Sequence, residues 1–109
     1  MKILLDECVT KKLKPYLKEF EVHTVTELGW SGVKNGRLMT LCVENDFDIL
    51  LTIDKNLSHQ QNLDKYDLSI AVFNTITSKI EELKLFIPSF KDQAPTFESH
   101  KVYFIERTS

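Results

Sequence analysis

Two aspartates directly follow apolar stretches that are typical of strands. Asp6 follows KILL at residues 2–5, and Asp54 follows LLTI at residues 50–53. In an open parallel sheet, ligands bind beyond the carboxyl ends of the strands. If the two strands are neighbours, the carboxylates approach within about 5 Å and repel by about 3 kcal/mol at an effective dielectric constant near 20. A divalent cation would relieve this repulsion, and Mg²⁺ and Mn²⁺ prefer carboxylate oxygens.

Other polar residues surround these two positions. Glu7 adds a carboxylate beside Asp6, and several amides follow Asp54. Amides suit a phosphate or ribose because they donate and accept hydrogen bonds without adding negative charge. A plainer explanation applies to each residue alone, since an acid after a strand often forms a turn or caps a helix, and amides are common in surface loops.

Five short segments have the composition of strands. They lie at residues 2–5, 21–25, 49–53, 68–73 and 100–106. The third and fourth segments are almost wholly apolar, which is typical of strands covered on both faces. Helical segments separate the strands, and this alternation predicts an α/β fold, a three-layer α/β/α sandwich with a mostly parallel central sheet.

Three helical regions are predicted from the spacing of apolar residues, over residues 9–20, 35–45 and 80–90. Pro15 should remove a hydrogen bond from the first helix or kink it, and Pro88 interrupts the third. Asn35 is predicted to cap the second helix. Residues 91–99 are predicted to form a loop before the last strand.

Length and composition exclude several classes of protein. The 109 residues are enough for one domain with one core, residues 1–109. No apolar run approaches the roughly 20 residues that span a bilayer, so a cytoplasmic protein with no membrane partner is expected. The formal net charge of −2 lacks the broad positive field of a dedicated nucleic-acid-binding domain but allows a local basic site. Cys8 and Cys42 belong to no CxxC pair and are predicted to be small buried thiols.

Three segments together resemble the PIN-like domains: KILLDE at 2–7, ELGWSGVKNG at 27–36 and LLTIDKNLSHQQNL at 50–63. The chain is similar in particular to a group of small bacterial proteins related to the toxins of toxin–antitoxin pairs, and the resemblance extends over nearly its whole length. It implies a three-layer α/β/α fold and a metal-dependent ribonuclease. Clustered acids would hold one or two Mg²⁺ or Mn²⁺ ions, which would polarise the phosphodiester and generate the attacking hydroxide.

By position, the resemblance implies that Asp6 and Asp54 are metal ligands and that Glu7 is an auxiliary ligand or base. Several positions that are often acidic in related proteins carry other residues here, namely Asn35, Gly36, Arg37 and Asn56. The usual PIN cluster has three or four carboxylates. A weak metal site and low activity are therefore expected.

The residues assigned to substrate binding are Asn35, Arg37, Lys55, Asn56 and Gln60. Lys55 and Arg37 would contact phosphates. RNA is the expected substrate, an antitoxin protein is the expected partner if the toxin analogy holds, and a homodimer is the expected assembly.

Two other functions stay open at the level of the sequence. The first is a PIN-like binding module that has lost its catalytic carboxylates. The second is a phosphoacceptor receiver domain, in which Asp54 would accept the phosphoryl group. A receiver needs a lysine at the far end of its fifth strand, whereas Lys101 stands near the beginning of that strand.

Overall fold

The centre of the computed structural model, which describes residues 1–59 and 62–108, is one sheet of five parallel strands. The strands are β1 (Lys2–Leu5), β2 (Glu21–Thr24), β3 (Ile49–Thr52), β4 (Ser69–Phe73) and β5 (Val102–Ile105). Their order across the sheet is β2-β1-β3-β4-β5, and each neighbouring pair is parallel. The α/β class and the parallel sheet predicted from the sequence are thereby confirmed.

Helical segments connect the strands. The α-helices are α1 (Asn35–Glu44), α2 (Ile80–Leu83) and α3 (Ile87–Gln93), and the 3-10 segments are Lys11–Leu17, Lys55–His59, Leu63–Lys65, Lys84–Phe86 and Ala94–Thr96. No helix within the described residues has the length and apolar character needed to cross a bilayer.

Prolines explain where the helices differ from prediction. The first region is a 3-10 segment because Pro15 offers no N–H and its ring obstructs a regular α-helix. Pro88 lies in the first turn of α3, where a missing N–H costs nothing, so the third region divides into two helices. The loop predicted at residues 91–99 is wrong in part, because α3 continues to Gln93 and a 3-10 turn follows.

Side chains from alternate strand positions fill a core on each face of the sheet. One core includes Ile3, Leu5, Leu51 and Phe73 with Leu13 of the first 3-10 segment and Phe86 and Phe90 of the α2–α3 region. The other includes Leu4, Leu50, Ile70 and Val72 with Leu38, Met39 and Cys42 of α1. The elements therefore form three layers, compatible with the predicted sandwich.

The connection between β4 and β5 has the opposite hand to the other connections. The connections β2–β3, β3–β4 and β4–β5 all run in the same direction across the sheet. The first two lie on the face that α1 and Leu57 cover, whereas the third lies on the opposite face, which the α2–α3 region covers. The β1–β2 connection runs in the reverse direction and lies on the face that the α2–α3 region covers. Because both the direction and the face are reversed, it has the same hand as the β2–β3 connection. About 98% of parallel connections are right-handed, so a change of hand within one sheet is unusual. Phe104 of β5, which points to the α1 face, is 47% exposed.

Candidate functional site

Asp6 and Asp54 lie at the same end of the sheet. Asp6 directly follows β1, and Asp54 comes two residues after β3, the neighbouring parallel strand. The N–H of Asp6 continues the ladder by donating to the carbonyl oxygen of Leu51 at 2.9 Å. The connection that leaves β1 runs toward one edge of the sheet, and the connection that leaves β3 runs toward the other edge. Doubly wound proteins bind ligands at the point where the connections diverge in this way. We call this region, centred on Asp6, Thr52 and Asp54, the β1–β3 site.

Thr52 connects the two aspartates. Its side chain is buried, and its hydroxyl donates to Oδ2 of Asp6 at 2.7 Å while accepting from the N–H of Asp54 at 3.0 Å. A hydroxyl has one proton to donate, so accepting from Asp54 leaves that proton for Asp6. This role was missed by the sequence-based assignments, although Thr52 is the one polar residue in the apolar stretch ILLTI.

The carboxylate of Asp6 is held mainly by protein donors. Oδ2 accepts from Thr52 and from the thiol of Cys8, whose sulfur is 3.6 Å away, and Oδ1 accepts from the N–H of Glu7 at 2.8 Å. A carboxylate has about four lone-pair positions. Asp6, which is 9% exposed, therefore has little capacity left for a further ligand.

Asp54 is more available than Asp6. Its side chain is half-buried, and Oδ1 accepts from the N–H of Asn56 at 2.9 Å, which closes an Asx turn. Within the described part of the chain, no hydrogen bond to its Oδ2 is formed. Of the two aspartates, Asp54 thus has the freer oxygen.

Glu7 fastens the glycine-rich loop to the end of β1. Its Oε1 accepts from the N–H of Gly32 at 2.9 Å. Gly32 has a φ of 80°, in the left-handed region that a side chain with a Cβ rarely adopts. Glu7 thereby has a structural partner, and its part in metal binding stays a prediction.

The start of α1 differs from prediction. Lys34 occupies the N-cap with extended backbone angles and no side-chain cap bond, whereas Asn35 is already helical. Asn35 therefore does not cap the helix. Arg37 is exposed, and its guanidinium lies 3.9 Å from the carboxylate of Glu44, two turns further along. An exposed pair of this kind contributes about 0 to 1 kcal/mol, and the substrate role of Arg37 stays a prediction.

The loop after β3 brings a positive charge to this end of the sheet. Lys55 Nζ donates to the carbonyl oxygen of Thr75, just after β4, at 2.9 Å. Asn56 is exposed in the 3-10 segment that follows Asp54. Gln60, also assigned to substrate binding, lies outside the described residues. The structure thus brings Lys55 and Asn56 to the same end of the sheet as Asp54.

The donors at the β1–β3 site suit one kind of metal ion. Asp6 and Asp54 offer hard oxygen atoms, which Mg²⁺ and Mn²⁺ prefer. Within residues 1–59 and 62–108, no group of three or more His, Cys, Asp or Glu side chains could hold an ion. Mg²⁺ often keeps several waters and binds through one or two carboxylates. Metal binding by the two aspartates stays a prediction, and it would require an ion that keeps several of its waters.

A cleft of about 470 Å³ opens beside Asp6, at the ends of β1 and β2. It is lined by Asp6, Glu7, Val9, Thr10, Lys11, Thr24, Val25, Thr26 and Glu27. Ligand pockets commonly measure about 300 to 1,000 Å³, so the cleft is large enough for a small organic group. Another cavity, of about 390 Å³, includes Asp48 and Ser69 near the amino ends of β3 and β4 and contains none of the predicted site residues.

The cysteines differ from each other in exposure. Cys42 is buried, as predicted, whereas Cys8 is exposed, because it follows β1 in the turn that leads out of the sheet. Partial burial of the sulfur raises the pKa of Cys8 above its ordinary 9.0, with the charge of Asp6 adding to this effect and the hydrogen bond between Cys8 and Thr52 opposing it. Burial raises the pKa of Cys42 to about 12.

We expect iodoacetamide to alkylate Cys8 and not Cys42 in the folded protein. Because the thiolate is the reactive form and the pKa of Cys8 is raised, alkylation should be slow near neutral pH and should still accelerate above pH 9.0. Mass spectrometry across this pH range measures the rate, with Cys8→Ser as the control. Rapid alkylation at neutral pH would contradict the raised pKa.

We expect Thr52→Val to destabilise the protein by about 1–2 kcal/mol, because Asp6 loses a donor and the N–H of Asp54 loses its acceptor. Thr52→Ser keeps the hydroxyl and should retain most of this stability. Urea denaturation of both variants measures the difference. Equal stability of the valine and serine variants would show that the hydroxyl does not connect the aspartates.

No family model matches the chain, and neither a curated protein nor a solved structure is significantly similar to it. The strand order β2-β1-β3-β4-β5 is the flavodoxin-like order, which receiver domains share. However, Lys101 precedes β5 and lies beside the start of the neighbouring strand, β4. Lys101 therefore lies at the opposite end of the sheet from Asp54, which disfavours a receiver.

Proposed function

We propose that the protein is a PIN-like ribonuclease that depends on Mg²⁺ or Mn²⁺ and has a reduced acidic cluster. The observation that carries the proposal is the pair of aspartates, Asp6 and Asp54, at the carboxyl ends of adjacent parallel strands with Thr52 between them. The three motifs that resemble the PIN-like domains supply the reaction class, and the two aspartates supply the site.

Asp54 would hold the ion through its free oxygen, and Asp6 would contribute its remaining lone pair. When bound, such an ion polarises a phosphodiester and stabilises the negative charge that develops there. Thr52 holds the carboxylate of Asp6 and the backbone N–H of Asp54 in place. Lys55, whose ammonium lies at the end of β4, would add positive charge for a phosphate.

Weak activity is part of the proposal. Asp6 already accepts three hydrogen bonds, and Glu7 is bound to the backbone of Gly32, so metal binding would compete with bonds within the protein. Arg37 stands where related proteins often have an acid. We therefore infer a low affinity for metal and slow cleavage.

The test is a cleavage assay on single-stranded RNA labelled at its 5′ end, with Mn²⁺ or with EDTA. We expect slow cleavage in Mn²⁺, none in EDTA, and none by Asp6→Asn, while calorimetry detects Mn²⁺ binding that the same substitution abolishes. Cleavage that persists in EDTA, or that Asp6→Asn retains, would refute the metal-dependent mechanism.

A catalytically degenerate PIN-like binding module is the second candidate. It is favoured by the hydrogen bonds that Asp6 and Glu7 accept from the protein, because carboxylates used in this way stabilise the fold. In that case Asp6→Asn would lower the stability of the fold. Neither the unaltered protein nor this variant would bind Mn²⁺, and metal would not affect any binding of RNA.

The partners implied by the resemblance belong to this proposal as well. An antitoxin protein would bind the toxin-like chain, and the chain would form a homodimer. Light scattering during gel filtration tests the dimer, and a monomer at all concentrations would refute it. Co-purification with the product of a neighbouring reading frame tests the antitoxin, and its failure to bind would refute that partner.

A further inference from the structure

The segment between β1 and β2 carries a high density of positive charge. Residues 11–18, KKLKPYLK, contain four lysines and no acid. Lys14 is paired with Glu27 at 3.0 Å, whereas Lys11, Lys12 and Lys18 are exposed and form no ion pair within the described part of the chain. In a protein with a net charge of −2, this segment is a local basic surface.

The charges of Lys11 and Lys12 do not stabilise the segment itself. Lys11 and Lys12 stand in its first turn, where the helix dipole disfavours cations, and no acid stands there. Leu13 and Leu17, both fully buried, attach the segment to the core. The fold therefore accounts for the leucines and leaves the charges of Lys11 and Lys12 without a structural role.

The basic surface begins at the cleft beside the β1–β3 site. Lys11 lines the cleft together with Asp6 and Glu7. From Lys11 the seven residues of the 3-10 segment extend about 14 Å, at roughly 2.0 Å per residue. The surface is thus continuous with the site where the proposed reaction would occur.

An exposed aromatic ring lies among these lysines. Tyr16 is 42% exposed, and Pro15 before it restricts the backbone. Proteins that bind single-stranded nucleic acids combine cations that follow the backbone with aromatic rings on which bases stack. The segment presents both features on its solvent-exposed side.

We propose that this exposed side, which we call the lysine face (Lys11, Lys12, Tyr16 and Lys18), binds the single-stranded RNA that leads to the cleft. The lysines contact successive phosphates, and a base stacks on Tyr16. The identification of RNA as the ligand rests on the proposed function. The inference adds the path of the substrate across the protein surface and its single-stranded form.

Binding is tested separately from cleavage, with the full chain carrying Asp54→Ala and with EDTA present. Fluorescence anisotropy measures the affinity for a fluorescein-labelled oligouridine, at several salt concentrations. One variant adds Lys11→Gln, Lys12→Gln and Lys18→Gln. The matched control instead adds Lys34→Gln, Lys65→Gln and Lys79→Gln, which removes the same charge from exposed lysines elsewhere.

We expect the lysine-face variant to lose at least tenfold in affinity at low salt. Each lost phosphate contact lowers the slope of log K against log salt by about 0.7 for a single strand, so three contacts lower it by about 2. The control should change affinity less than twofold. Equal losses in the two variants, or no loss in either, would overturn the proposal.

Tyr16 supplies an independent readout. Tyr16→Ala should weaken binding of the oligouridine about tenfold, Tyr16→Phe should retain the affinity, and a duplex of the same length should bind more weakly than the single strand. Loss in Tyr16→Phe, or tighter duplex binding, would overturn stacking on this ring. Circular dichroism confirms that each variant is folded.

The outcomes distinguish this inference from the proposed function. RNA cleavage at the unaltered rate by a protein that carries the three lysine-face substitutions and keeps Asp54 would refute the lysine face and leave the ribonuclease proposal intact. Binding that depends on the lysine face, with no cleavage by any protein, would refute the ribonuclease and support the lysine face.

Discussion

Asp54→Ala is expected to reduce manganese-dependent RNA cleavage at least tenfold, which corresponds to about 1.4 kcal/mol in the activation barrier. Asp54 has the freer carboxylate oxygen of the β1–β3 site, so its removal takes away the proposed ligand with the most capacity for an ion. The fold should persist, because Asp54 is half-buried and its side chain bonds only to the N–H of Asn56 among the described residues.

Asp92→Ala is the matched control for this substitution. Asp92 is an exposed aspartate in α3, an element that packs on the opposite face of the sheet from α1. The control should cleave RNA at the unaltered rate. If Asp54→Ala also cleaves at that rate, the activity belongs to another site or to a contaminating nuclease.

Phe73→Ala is expected to lower the free energy of unfolding by about 3–5 kcal/mol, the range for removing a fully buried phenylalanine. Phe73 is 0% exposed. Its ring stacks on that of Phe86, with centroids 5.1 Å apart, and meets the edge of Phe90 at 5.9 Å. The substitution leaves a cavity between β4 and the helices that cover it.

Phe104→Ala is the control, because Phe104 lies on the neighbouring strand but is 47% exposed. Its removal should cost less than about 1.5 kcal/mol, since part of its surface is already hydrated. Urea denaturation with an unchanged m-value measures both losses. Similar losses in the two variants would show that the β4 core is less tightly packed than its ring geometry indicates.

The strands were largely predictable from the sequence because continuous apolar runs directly encode burial on both faces. Residues 2–5 match β1, and the apolar runs around Ile49 and Ile70 became the central strands β3 and β4. The last strand was predicted to begin two residues too early and to end one residue too late. His100 has a φ of 71°, which no extended strand tolerates, and this angle depends on local packing that an apolar pattern does not contain.

The helices were less predictable because their form depends on competing local effects. The apolar spacing around Leu13 correctly indicated a buried helical face, but Pro15 changed its hydrogen bonding to the 3-10 type. Asn35 has the composition of a cap, yet Lys34 holds that position. Cap preferences amount to about 1 kcal/mol, so the path of the preceding loop can override them.

The candidate site was predictable only in part. Asp6 and Asp54 could be placed because a residue after a parallel strand lies at a known end of the sheet. The bonds from Thr52 and the contact between Glu7 and Gly32 could not, because they join residues distant in the chain through particular side-chain directions. The change of hand at β5 likewise depends on which face the α2–α3 region covers.

The wholly parallel sheet has a consequence for how the chain folds. No neighbouring strands can form a hairpin, so even the nearest partners, Lys2 and Glu21, are 19 residues apart. Ile3 pairs with Ile49, 46 residues later, and synthesis at about 5–20 residues per second separates their appearance by roughly 2–9 s. During that interval β1, with three fully buried side chains in the finished protein, lacks one of its two neighbours. The nascent chain therefore contains an apolar strand before the central strand that will cover one of its edges has been made.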